Sequence, residues 1–423
     1  MLNLRLTITF LLFAHAVVAQ TTLIKAGRFY DAEKNVFLDK QEILIEGGKV
    51  KAVGTKLEAP ANARVLDYPN STVTPGLIDA HTHILLQQRT SENLAIDGLM
   101  NSPERRVLRA AGFAQAYLNA GFTTIRDLGN SGEYLDLEVS VAIRRGYIPG
   151  PRMLCSGPIL SAVDGQFYQL PYSKYDDITA GEYRVINGPE DAVRAVKEHI
   201  NAGVDVIKIV AWGERLGLSR EEMAAIVKTA HDYGSTVTAH ASGTKVMYDA
   251  IMAGVDGIEH GYGMADSILT LMAKKKVYLV PTDVSLRSAI AMTKGMHRPV
   301  DTAAIREELK PLGERLMRAH KAGVMIVAGS DAYFEQETPR GHNAKETIAA
   351  YVEEGLPVKD ALRAATWNAA KAFGREGRLG VIKAGADADI AIFNGDLEKD
   401  FARTLFDVQL VLKNGQIVAG GDK

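Results

Sequence analysis

A single cysteine, Cys155, in 423 residues rules out an intramolecular disulfide, so the fold has to be held by packing. Neither sign of charge is in surplus: 49 Lys and Arg face 51 Asp and Glu, for a formal net charge of -2. A phosphate-binding surface needs a clear cationic excess, so nucleic acid is not an expected partner. A membrane span is not expected either. The apolar stretch from Leu6 to Val18 falls short of the ~20 residues of a spanning helix, and no basic stop-transfer cluster or lipobox cysteine follows it.

With Arg5 before that stretch and small Val17 and Ala19 at its end, residues 1–19 read as a signal peptide. The mature chain is expected to be exported, periplasmic or secreted, with no stable membrane anchor once the signal is removed. The whole 423-residue chain is 47% hydrophobic against 24% charged, the balance of an ordinary globular protein with room for one large domain and a smaller one. Cys155 is expected in the core.

From Thr22 to Val73 short, partly alternating runs are punctuated by glycine, and the same texture returns from Gly377 to the end, where Asn414-Gly415 reads as a hairpin turn. The two ends are expected to pair into one small β-sandwich domain of residues 20–74 and 377–423. Between them, residues 75–376 alternate short apolar runs with amphipathic segments, as buried parallel strands joined by crossover helices do. Eight runs begin at Gly76, Thr123, Arg152, Asp205, Thr236, Gly257, Val277 and Val324. Several end in polar residues. An α/β fold, a (β/α)₈ barrel, carries its chemistry at the carboxyl ends of its strands.

His81 and His83 stand two apart on the first run, so alternation points both imidazoles to one side. Alone, the pair suits a metal or a hydrogen-bonded rim equally. His240 and His260 end the fifth and sixth runs and belong at the same mouth, and four convergent histidines favour a metal. His199, His231, His297 and His320 fall in helix or loop patterns and read as solvated or locally bonded. Lys208, inside VIKIV, is costly in an apolar wall unless it snorkels or loses its charge. Asp331 ends the eighth run, as a metal ligand and proton acceptor or as a helix N-cap.

PGLIDAHTH, VIKI, AHAS, IEHG and GSDA together resemble the amidohydrolase superfamily over essentially the whole mature chain. GFTTIRDLG, GPR, GVIKAGADADIAIFNGD and VLKNGQIV resemble its branch related to imidazolonepropionase and the Xaa-Pro dipeptidases (prolidases). The resemblance implies two divalent ions, zinc in kind: His81, His83 and Asp331 on one, His240 and His260 on the other, and carboxylated Lys208 between them. It also implies a bridging hydroxide as nucleophile, with Asp331 as the catalytic base and then acid. Two departures bear on substrate. Gln166 stands where many relatives place a histidine after the third strand, and Ala241 and Ser242 follow His240 where a second histidine is frequent.

Substrate-binding candidates are Tyr262, Gln166, and Arg340 and His342 of a TPRGHN loop, with Arg340 expected to fork onto a carboxylate. A solvated Arg340 and a packing Tyr262 are the plain alternatives. The expected activity is hydrolysis of a small-molecule amide or peptide: a dipeptide such as Xaa-Pro, or an N-acyl amino acid. The same site would also suit a lactone or cyclic amide, and a non-catalytic binding protein is the rival from another class. Homo-oligomers are compatible with all of these.

Overall fold

The computed structural model describes residues 21–420 apart from 90, 91, 93, 94, 164, 167–172, 174–180 and 213–215. The signal-peptide reading of residues 1–19 lies outside the described residues. Among those described, no helix is long and apolar enough to cross a membrane.

Four strands open the chain: β1 (Thr22–Asp31), β2 (Val36–Glu46), β3 (Lys49–Gly54) and β4 (Arg64–Pro75). The barrel strands follow: β5 (Leu77–Thr82), β6 (Phe122–Asp127), β7 (Arg152–Cys155), β8 (Ile159–Ser161) and β9 (Tyr183–Val185). They continue with β10 (Val206–Val210), β11 (Thr236–Ala241), β12 (Gly257–His260) and β13 (Tyr278–Val280). All of these pair in parallel, in the orders β5-β6-β7 and β13-β12-β11-β10-β8-β9.

The gaps between the two sheets are closed by backbone hydrogen bonds. Asp205 N–H donates to Cys155 O, joining β7 to the start of β10. Residues 324–331, the eighth apolar run, close the other side. Leu279 N–H donates to Met325 O, Ala80 N–H to Ala328 O and Asp331 N–H to His81 O. This last stave is irregular, with Ile326 its one bridging position to Leu279. The expected (β/α)₈ barrel is what forms.

Crossover helices cover the barrel for the local reasons their sequences suggest. Helix Arg220–Asp232 starts at a capping box, Ser219 with Glu222. Helix Pro189–Ala202 stops at Gly203, whose φ of 93° a side chain would disfavour. The chain then returns through β14 (Ile390–Phe393), β15 (Val408–Lys413) and β16 (Gln416–Gly420) to the opening strands. The result is one seven-stranded sheet, ordered β16-β15-β14-β4-β1-β2-β3. It curls over a core of its own that includes Ile24, Phe29, Ile43, Val73, Ile390 and Leu410. Val50 N–H donates to Ala386 O and Ala388 N–H to Gly48 O across the fold, which gives the sandwich expected from the two chain ends.

Candidate active site

The carboxyl ends of the barrel strands surround a cavity of about 390 Å³ whose wall includes His81, His83, Lys208, His240, His260 and Asp331. Six residues drawn from five staves meet there. His81 Nε2 lies 3.3 Å from His83 Nε2 and 3.4 Å from Lys208 Nζ. His83 Nε2 is 3.3 Å from Asp331 Oδ1. The His260 ring is centred 5.1 Å from that of His81 and 4.6 Å from that of His240.

Backbone strain helps to aim these groups. His260 and Asp331 hold φ of 66° and 50°, and Thr282, just past β13, holds 56°. Left-handed non-glycine residues cost on the order of 1–3 kcal/mol each, so their gathering at one rim marks a place where direction matters more than local comfort. At His260 the consequence is visible. Alternation sends its neighbour Glu259 into the barrel interior, and the turn in backbone swings His260 back to the mouth.

The imidazoles are oriented from behind. His81 Nδ1 is 2.7 Å from Glu259 Oε2, His83 Nδ1 is 2.8 Å from Gly129 O, and His260 Nδ1 is 2.7 Å from Thr282 Oγ1. In each case the other nitrogen, Nε2, is left for the cavity. Glu259 is itself held by Arg126, fully buried, at 2.8 Å.

Burial pushes His81 down to about 4 and His240 to about 3, each helped by the charge of Lys208, and pushes His260 well below its ordinary value. These three are neutral at pH 7, the form that ligates metals. Burial also lowers Lys208 to about 8, against the pull of Glu259 and Asp331. For Asp331 burial acts upward, but His81, His83 and Lys208 outweigh it and hold the carboxyl below its usual range. Asp331 Oδ1 is buried with no hydrogen-bond partner. His81, His260 and Asp331 bring ligand atoms within 4.8 Å of one another. An orphaned carboxylate oxygen among neutral imidazoles is a donor set that fits a divalent ion.

Of the substrate candidates, Tyr262 and Gln166 line the cavity. Tyr262 stacks on His260, with ring centroids 5.6 Å apart, and Gln166 Oε1 accepts from Tyr183 Oη at 2.8 Å. Arg340 requires correction. TPRGHN is no free loop: a helix starts at Arg340 and runs to Glu353. The guanidinium lies buried over the Phe113 ring and donates to Leu86 O at 2.8 Å and His83 O at 3.4 Å. It braces the segment after β5 and does not face the cavity. His342 faces a neighbouring chamber, 3.4 Å from Glu346. His199 is locally bonded, as expected, to Ala195 O and to Pro158 O, and it is buried.

Residues that sequence reasoning passed over also shape the site: Glu259 and Thr282 behind the imidazoles, and Asn130, Tyr333 and Glu346 in the wall. The one available signal was the polar Glu259 inside an apolar strand.

Comparison with known proteins agrees with this geometry. The chain is 28% identical over 416 residues to the ochratoxinase of Aspergillus niger, covering 90% of this chain and 82% of that one. It is 27% identical over 392 residues to the imidazolonepropionase of Deinococcus deserti, covering 87% and 89%. Among solved structures, a Xaa-Pro dipeptidase with methionine bound in its active site superposes with a TM-score of 0.80 at 27% identity, covering 94% of this chain and 99% of that one. Residues 72–418 match the Amidohydrolase family, so the chain belongs to that family and is a hydrolase of carbon–nitrogen bonds.

Proposed function

We propose that this hydrolase cleaves the amide bond of a dipeptide, Xaa-Pro included, or of an N-acyl amino acid, at a site that holds two zinc ions. The observation that carries the reading is the convergence of four histidines, Lys208 and Asp331 on one cavity. His81, His83 and Asp331 would hold one ion and His240 and His260 the other. Bound there, the ions would polarise the scissile carbonyl and make water a stronger acid.

The chain's own groups do the rest. Lys208, lowered to about 8, has a neutral amine fraction near neutrality. Carbon dioxide adds to that amine with loss of a proton, and the resulting carbamate is an anion with two oxygens to offer. Asp331, ionised and with a free oxygen, accepts a proton from the attacking water and passes it to the leaving amine. Tyr262, whose phenol burial keeps protonated, offers a donor beside His260. Similarity to the Xaa-Pro dipeptidase supports an amide substrate. The leader-like residues 1–19 support an exported mature chain.

Elemental analysis of the purified mature protein should find about two zinc ions per chain. The same protein should turn over members of a panel of dipeptides and N-acyl amino acids. A metal-free active enzyme, or turnover confined to lactones, would overturn the reading.

A further inference from the structure

The catalytic cavity continues outward. It shares Ser288, Gln336 and Glu346 with a second chamber of about 700 Å³. Glu346 is thus a carboxylate at the junction, on helix Arg340–Glu353 and only 3% exposed. Its Oε2 accepts from Ser285 Oγ at 2.7 Å, while its Oε1 lies 3.0 Å from Arg287 Nε and 3.4 Å from His342 Nε2.

An ionised carboxylate presents about four lone-pair directions. Ser285, Arg287 and His342 do not exhaust them. Arg287 approaches from the outer chamber, is more than half exposed, and rests over the Phe406 ring. An ion pair open to water on one side is weak and can yield to another cation. Within the catalytic cavity, by contrast, Lys208 is the sole lysine or arginine among the described wall residues, and it sits with the histidines. Where the catalytic cavity meets the outer chamber its wall therefore presents a carboxylate whose cationic partner, Arg287, stands outside that wall, with neutral Ser288, Gln336 and Asn343 around it.

We propose that Glu346 selects substrates bearing an ammonium or guanidinium group at the end remote from the cleaved bond. This rests on the amide-hydrolase reading above and assigns its substrate class. A carboxylate at that end would meet a like charge in a partly dry cavity, whereas a cation would gain a charge-assisted hydrogen bond.

The test uses metal-loaded full-length mature enzyme and matched dipeptides, Ala-Lys, Ala-norleucine and Ala-Glu, with the same three in reversed order. In one of the two orders kcat/KM should favour lysine over norleucine about tenfold, and E346Q should bring that ratio near one, mainly through KM. Equal use of lysine and norleucine, an equal loss on both in E346Q, or a preference for glutamate would overturn the assignment, the last giving the role to Arg287. Thermal shift with lysine amide against norleucine amide reads binding without turnover: the lysine-specific rise in Tm should vanish in E346Q. If no dipeptide is cleaved but that rise appears and vanishes as stated, the dipeptide reading fails and the cation site stands. A rise that is absent, or that persists in E346Q, sinks the cation site.

Discussion

Two groups of charged residues sit at opposite ends of the barrel, and they are built differently. At the amino-terminal end Arg152 donates to Asp389 at 2.6 Å, to Asp387 at 3.3 Å and to Asn414 at 3.0 Å. Asp387 also takes Arg378 at 3.0 Å and Lys49. Burial works to raise the Asp387 carboxyl, but these cations outweigh it and hold it below its usual range. The one left-handed non-glycine residue in this group, Asn414, sits in an Asn-Gly turn that favours such a φ. At the carboxyl end, His81 and His240 are held neutral, Asp331 keeps an unpartnered oxygen, and strain gathers at His260, Thr282 and Asp331. Both ends are rich in charge. Charge density does not mark the working end; charge left unsatisfied does.

The sharpest way to break that contrast is Asp331→Asn. The amide keeps the shape and loses the proton-accepting oxygen, so kcat should fall by about 10²–10⁴-fold. Circular dichroism and Tm should stay close to those of the parent. Turnover that survives the exchange would mean that the unpartnered oxygen at the mouth is no more functional than a filled one at the base.

Much of this contrast was legible in the sequence, for a physical reason. A barrel strand is apolar along its length and polar only where it ends in a site, so AHTH, TAHA, IEHG and AGSD stand out against their own runs. Arg340 was misplaced because its partners are backbone carbonyls of His83 and Leu86, which no side-chain pattern records. Glu346 was invisible because its helix is buried from Arg340 to Tyr351 with His342 and no other residue only partly so, and without a polar face there is no periodicity to read. Glu259 was passed over beside His260, since the swing that separates their roles is a backbone angle.

A smaller effect is expected behind the imidazoles. Glu259→Gln removes the charge that orients His81 while keeping its size, and Arg126 then loses its buried counter-ion. Losses of this kind typically weaken metal affinity by about 10–100-fold. Competition with a chelator of known affinity measures it directly. Affinity equal to that of the parent would show that His81 is aimed by packing alone.

The base should respond in the opposite sense. Arg152→Ala leaves Asp389 Oδ2 without its cation but leaves Asp387 with Lys49 and Arg378. Hydrogen bonds to charged groups contribute about 1.5–3 kcal/mol each. Because Arg152 is 23% exposed and water can enter, the lower part of that range is expected for the whole substitution. Urea unfolding should report a lower midpoint with kcat and metal content kept, since the residue stands at the start of β7 and the cavity opens beyond the other end of the strands. A fall in kcat without a fall in stability would mean that the two ends of the barrel are coupled and that the base, for all its complete pairing, also takes part in the chemistry.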